Sequence, residues 1–331
     1  MTRRWWGLPA LAVLTVAAFM LSVRVGSVPI GLGAVVRALM GHGDPTAGTI
    51  IRDLRLPRAA AAALVGAALA LSGATFQALL RNALAEPYVL GISGGAALGA
   101  VAAIVLGSVV AGTTIPVSVA AFAGAVATIA LVMRIASGVG PTLDTRVLLL
   151  AGVVVGAFAN AGIFLLLALA DVAAFRSATN WMMGSLSGSS WNGVIVLAAQ
   201  LVPGLLILLA LARPLNALAV GEETAAYLGV SIERTKWLAF AIASMLAAAS
   251  VATAGIIGFV GLVVPHAVRL IWGSDHRVSL PASALLGATF LLLTDAAART
   301  VAAPTELPLG AVTAVIGVPV FVMLLRRRSV M

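Results

Sequence analysis

Apolar residues run in unbroken stretches of about twenty, and polar residues collect in the short segments between them. An α-helix needs about 20 apolar residues to cross a bilayer, whereas a barrel strand alternates over roughly 10. The pattern predicts ten helical spans near 6–23, 57–80, 91–111, 115–136, 146–170, 192–213, 236–254, 257–272, 278–301 and 306–325. The stretch 237–273 is too long for one span and slightly short for two. Gly255 and Gly258, in ATAGIIGFVG, offer a turn, so two spans joined by a tight hairpin are expected there.

Composition agrees with the pattern. The chain has 331 residues, 62% of them hydrophobic and 9% charged. A soluble domain is nearer to half apolar and a quarter charged, so an all-α polytopic membrane protein is expected, as one transmembrane domain over 1–331. The net charge of +9 does not indicate nucleic acid, because the arginines flank apolar runs instead of lining one face. The N-terminal stretch MTRRWWGLPALAVLTVAAFMLSVRV has a core as long as a span and no A-x-A-like cleavage site, so a retained first span is expected. The chain contains no cysteine, which excludes thiolate metal sites. His42, His266 and His276 are far apart and in no ligand spacing, so a metal handled here would arrive inside a chelate.

Charge then sets topology. Ten spans put both termini on one side. With that side cytoplasmic, the inner segments hold 13 basic residues (Arg3, Arg4, Arg81, Arg134, Arg146, Arg213, Arg234, Lys236, Arg269, Arg277 and Arg326 to Arg328) and the outer ones 7. The positive-inside rule favours this orientation. The outer arginines oppose the bias, and three of them, Arg52, Arg55 and Arg58, crowd into IRDLRLPR. Two readings stand. Arg58 follows Pro57, a good first-turn residue, and could be a flanking charge that snorkels. Alternatively the arginines form an electropositive surface for an acidic partner or anionic ligand outside. Two inverted halves of five spans are compatible with the glycine-interrupted pieces GISGGAALGA (91–100) and GIIGFVGLVV (255–264).

No energy source is visible. A P-loop needs G-x-x-x-x-G-K-[ST], and the one lysine, Lys236, sits in ERTKWLAF. The acids lie in loops or near span ends, Asp295 being the deepest, so the acid–base relay of a proton-coupled carrier is missing. Any driving force for transport then comes from another subunit. The polar stretch GEETAAYLGVSIERTKW (221–237) predicts a short cytoplasmic helix, with Glu222 and Glu223 at its N-terminus and Gly229 as its stop. It is either a solvated connector or a docking element. GISGG (91–95) matches the G-x-S-G of intramembrane serine proteases, with Ser93 as nucleophile and His266 as the one base near a span. Small residues at helix contacts explain Gly91, Ser93, Gly94 and Gly95 equally well.

Several long blocks resemble one family over essentially the whole chain. RLPRAAAAALVGAALALSGATFQALLRNALAEPYVLGISGGAALGA, GIIGFVGLVVPHAVRL with DHR soon after, TDAAARTVAAPTELPLGAVTAVIGVPVFVMLLRR and GEETAAYLGV are similar to segments of the permease subunit of binding-protein-dependent ABC importers for iron–siderophore complexes, vitamin B12 and haem. The resemblance implies ten transmembrane helices with cytoplasmic termini in a multi-pass protein of the cytoplasmic (inner) membrane. It implies a homodimer with the path at the subunit interface, two ATPases below and one binding protein above. ATP and Mg would bind the ATPases, and no cofactor this chain. The resemblance assigns binding-protein docking to Arg55, Arg58 and Arg299, with Arg52 as an addition. It assigns ATPase coupling to Gly221, Glu222, Glu223, Thr224, Ala225, Leu228 and Gly229, inside a cytoplasmic segment of about 214–235. The cytoplasmic gate falls on Leu84, Asp144 and Thr145. An acid at 144 departs from the small neutral residues expected there, and NALAEP lacks the proline of the family's NPLAEP. The substrate order that follows from the family is iron–siderophore, then haem, then cobalamin. The readings from other classes are an ion-coupled secondary transporter and, third, the protease.

Overall fold

The computed structural model describes residues 7–26, 31, 33, 37, 40, 45–109, 115–140 and 144–328. Arg3, Arg4 and His42, the tail of the third predicted span, and the side chains of Arg326 to Arg328 lie outside the described residues. All regular structure among the described residues is helical.

The helices are α1 (Gly7–Arg24), α2 (Leu56–Leu79), α3 (Ile92–Val109), α4 (Val117–Gly138), α5 (Thr145–Leu169), α6 (Val172–Met182), α7 (Trp191–Ala210), α8 (Ala212–Val220), α9 (Glu222–Tyr227), α10 (Ile232–Ala254), α11 (Val260–Trp272), α12 (His276–Thr300) and α13 (Leu309–Arg328). A short helical lead-in, Pro45–Thr49, and a π-turn, Ile50–Arg55, run directly into α2. Seven helices among the described residues are long and apolar enough to cross a membrane: α1, α2 with its lead-in, α4, α5, α7, α10 and α12. The other three predicted spans are shorter apolar helices.

Polar residues at the helix starts explain several boundaries. Asp144, Asp171 and Asp275 accept hydrogen bonds from Arg146 N, Ala174 N and Arg277 N at 2.7, 2.7 and 3.1 Å. Each satisfies one of the amides that a helix start leaves without a partner.

The tight hairpin expected at Gly255 and Gly258 is not formed. Residues 255–258 are non-helical, and α11 has 13 residues. At 1.5 Å per residue it reaches about 20 Å, against a hydrocarbon core of about 30 Å. The chain thus leaves α10, runs non-helically and re-enters a helix only at Val260. Backbone without helix inside a membrane protein needs partners. Here Tyr88 Oη both donates to Ile257 O and accepts from Ile257 N, Glu86 Oε1 accepts from Phe259 N at 2.8 Å, and Ser185 N donates to Ala254 O at 2.8 Å.

The core is built on α2, which is buried along nearly all its length. It packs on α12 where Gly66 meets Gly287, and on α11 where Gly73 meets Gly261. A methyl group at either position of α2 would collide with the facing carbonyl. Such close approach is what small residues provide where lipid leaves little hydrophobic drive between helices. In contrast, α5 leaves Phe158, Phe164 and Leu165 exposed.

The pattern missed three elements. The amphipathic helix α6 lies between the fifth and sixth predicted spans, α8 separates the sixth span from the polar stretch, and the Pro45–Arg55 lead-in precedes the second.

Candidate functional site: charge clusters at the two ends of one helix

Twenty-four residues of helix make α2 about 36 Å long. Arg58 is its third residue and Arg81 lies two beyond its last. A cluster of charge surrounds each.

At the first end, Arg55 closes the π-turn and Pro57 opens α2. Arg55 Nη1 donates to the carbonyls of Val23 and Arg24 at 3.1 and 2.8 Å. Arg299, at the end of α12, donates to Val25 O at 2.9 Å, Ser22 O at 3.1 Å and Ser22 Oγ at 3.0 Å. The last turn of α1 is therefore capped by two guanidinium groups from other helices. A helix C-terminus leaves carbonyls unsatisfied and carries partial negative charge, so cations suit it.

Arg58 and Arg299 share the Asp295 carboxylate. Arg58 Nε and Nη2 lie 3.1 and 3.0 Å from Oδ1, and Arg299 Nε lies 3.0 Å from Oδ2. Arg58 also meets Glu306 through two parallel contacts, Nη1 to Oε1 and Nη2 to Oε2, both 2.9 Å. The Asp295 side chain is 1% exposed, and two arginines offset its charge. The Glu306 carboxyl, outside the spans, is held below its ordinary range by its hydrogen bonds with Arg58.

The structure thus brings Arg55, Arg58 and Arg299 together, as the sequence suggested, but not as an open basic surface. Arg55 and Arg299 are each 8% exposed and directed at backbone carbonyls. Arg52 has an exposed side chain on the π-turn, and its carbonyl accepts from Trp191 Nε1 at 2.9 Å.

At the second end, α9 is the short helix expected in the polar stretch. Gly229 takes φ +77°, with Val230 N bonded to Ala225 O and Gly229 N to Ala226 O, the pattern of a glycine-closed helix end. Ala225 packs inward, while Glu223, Thr224, Tyr227 and Leu228 are exposed. Glu222 turns back toward the bundle. Its Oε2 lies 2.8 Å from Lys236 Nζ and its Oε1 3.3 Å from Arg81 Nη2. Gly221 joins α8 to α9. Asn216 on α8 donates to Asp275 Oδ1 at 2.8 Å and accepts from His276 N at 2.9 Å, so the residues of DHR anchor α8, the helix that leads into the polar stretch. The Asp275 carboxyl is held well below the usual carboxylate range, chiefly by its hydrogen bonds from Arg277.

The residues matched to a gate divide in character. Leu84 is exposed on the loop after α2. Leu84 N donates to Asn82 Oδ1 at 2.9 Å, so a side-chain turn holds the loop where the family pattern has proline. Asp144 caps α5, which gives the acid at this position a structural reason. Thr145 lines a small cavity with Leu79, Leu80, Leu148, Lys236 and Phe240.

Polar residues that the sequence reading passed over tie the two halves of the chain. Gln77 Nε2 donates to Ala85 O, Gly261 O and Leu262 O at 3.2, 3.1 and 3.3 Å. Burial pushes the Glu86 carboxyl up, with the Phe259 amide acting the other way. Their one sequence signal was a polar residue inside or beside an apolar run. The glycines of GISGG face packing partners: Gly91 meets Gly152 and Gly156, and Gly95 meets Gly124 and Thr128. His266 stacks edge-on against Phe321 at 5.8 Å.

Comparison with known proteins agrees with this architecture. The model of the FecCD transport family matches residues 14–327. An ABC transporter permease protein of Bacillus subtilis, YvrB, whose own role is uncharacterised, is 42% identical over 320 residues, covering 93% of this chain and 90% of that one. The cobalamin import system permease protein BtuC of Halobacterium salinarum is 50% identical over 285 residues, covering 86% of this chain and 75% of that one. A solved structure of a metal-chelate type ABC transporter in an inward-facing conformation superposes with a TM-score of 0.87 at 31% identity, covering 97% of this chain and 98% of that one. With residues 14–327 matched and its helices superposing on such a transporter, the chain belongs to the FecCD transport family, the multi-pass membrane permeases of type II ABC importers.

Proposed function

We propose that this chain, paired with a second copy in the cytoplasmic membrane, forms the alternating-access pathway of an importer, with two ATPases at the α9 end and an external binding protein at the Arg58 end. ATP and Mg belong to the ATPases, and both termini are cytoplasmic. The carrying observation is that one buried helix, α2, has an arginine cluster at one end and an ion pair to the α9 segment at the other. The exposed Tyr227 and Leu228 on α9 suit a protein partner. At the other end, Arg58 and the exposed Arg52 offer charge to an acidic partner. Arg55 and Arg299 act through the shape of that end, by fixing α1. Leu84 and Thr145 flank the exit, and Asp144 supports it as a helix cap.

For the substrate, the relatives named for cobalamin import support a corrinoid ahead of an iron–siderophore or haem, reversing the order suggested by family frequency. An ion-coupled carrier is less well supported, because the deepest acid, Asp295, is already neutralised by two arginines. The test is reconstitution in liposomes with candidate ATPase and binding protein, measuring ATP-dependent uptake of cobalamin beside a ferric siderophore and haem. Uptake of cobalamin alone supports the full reading. Uptake of another chelate would overturn the substrate, and uptake driven by an ion gradient without ATP would overturn the importer.

A further inference from the structure

Arg81 occupies an unusual position. Asn82 N bonds Gln77 O at 3.2 Å and Arg81 N bonds Ala78 O at 3.3 Å, so α2 ends in the closure that normally places glycine at its left-handed residue. Here that residue is Arg81, with φ +46°. A side chain in this conformation costs about 1 kcal/mol relative to glycine. What the arginine gains is Glu222, 3.3 Å away on the first turn of α9.

Glu222 has a second cation. Lys236, on α10, is 5% exposed and sits 2.8 Å from the other carboxylate oxygen. A buried ammonium needs acidic partners; Glu233 lies 3.9 Å from the same Nζ, and Glu222 supplies the closer of these two contacts. Lys236 also lines the small cavity with Leu79 and Leu80 at the end of α2 and Thr145 and Leu148 at the start of α5. One carboxylate on α9 therefore holds the exit of α2 directly and reaches the entry of α5 through one lysine.

We propose that Glu222 is a positioning residue for transport: through Arg81 and Lys236 it converts displacement of α9 into movement of the two chain segments around the exit. This rests on the reading that α9 meets the ATPase. A helix of six residues transmits motion only if it is fixed to what it moves, and these two ion pairs are fixed points at its bundle-facing side.

The experiment uses the complete reconstituted transporter and reads substrate moved per ATP hydrolysed, alongside ATPase co-purification. Glu222→Gln and Arg81→Gly are expected to keep the ATPase bound and hydrolysing while transport per ATP falls about tenfold, within the usual span of a coupling between sites. Arg81→Gly is the stronger variant, because glycine relaxes the backbone and so does not endanger the fold. The double variant should lose no more than the worse single one. Unchanged transport per ATP in both single variants would overturn the proposal. Loss of ATPase binding in Glu222→Gln would also overturn it, making Glu222 a docking residue. If the wild-type chain retains no ATPase at all, the importer reading itself fails, which is a separate result.

Discussion

Arg58 and Glu306 face each other as a two-pronged ion pair, with both contacts at 2.9 Å. The guanidinium that an external acid would engage already holds a carboxylate from its own chain. Glu306 is 43% exposed and stands in the segment between α12 and α13, so it can be displaced more readily than the buried Asp295. An incoming carboxylate would exchange with Glu306.

Glu306→Gln should therefore strengthen docking of the binding protein. The expected gain is about two- to fivefold in affinity at low salt, what ~0.5–1 kcal/mol of exposed ion pair converts to. Biolayer interferometry on the permease in nanodiscs measures it. An unchanged or weaker affinity would show that Glu306 does not compete for Arg58.

The same pair fixes a sign for pH. The Glu306 carboxyl is depressed below its ordinary value of 4.5. Its stabilising contribution is fully present above that value and is lost as pH falls through the lower, folded one. Thermal unfolding in detergent should show the wild-type advantage over Glu306→Gln constant from neutral pH down to about 5 and shrinking only under stronger acid. A loss already complete at pH 6 would contradict the pairing.

Arg55→Met and Arg299→Met should destabilise the bundle, whereas Arg52→Ala should leave it within about 0.5 kcal/mol, as most surface changes do. Arg299→Met is expected to cost the most, roughly 3–5 kcal/mol, because it also removes one of the two cations offsetting Asp295. Chemical denaturation followed by tryptophan fluorescence ranks the three. Equal effects would mean that the α1 caps carry no stability.

Asp144 separates a cap from a gate. Asp144→Ser keeps a capping oxygen and should preserve transport, and Asp144→Ala should lose about 1 kcal/mol of stability. If Asp144→Ser impairs transport as much as Asp144→Ala while both fold, the charge itself acts in the gate.

Gly66→Leu should be far more damaging than Gly188→Leu. A side chain at 66 runs into the Gly287 carbonyl, while Gly188 has open space. Expression yield and monodispersity by size-exclusion chromatography distinguish them. Comparable behaviour would mean that α2 and α12 can move apart at little cost.

The long helices were legible because a bilayer demands about twenty apolar residues whatever their identity. Gly255 and Gly258 marked the break between two helices, but the hydrophobic pattern could not reveal that the break is a non-helical run and not a tight hairpin, since apolar residues serve extended and helical backbone equally. Its partners, Glu86 and Tyr88, are about 170 positions away in the chain. The short helix α9 and its stop at Gly229 were readable from local rules of acids and glycine. The fate of the arginines was not: Arg55 and Arg299 bond to carbonyls, and every residue has a carbonyl, so no residue type in the sequence marks the acceptor. Of the acids that do mark an acceptor, Asp295 was read as the deepest acid, and Glu306 as the edge of the last predicted span and part of a family block.

The capping of α1 has a consequence for biosynthesis. Ser22 leaves the ribosome 277 positions before Arg299. The first helix enters the membrane with its final carbonyls awaiting groups that do not yet exist. Arg55 arrives early and gives a provisional hold, but the second clamp is set only when α12 is in place. A chain that stalls before residue 299 leaves this end loose, so this end of the bundle is completed only once α12 has been made.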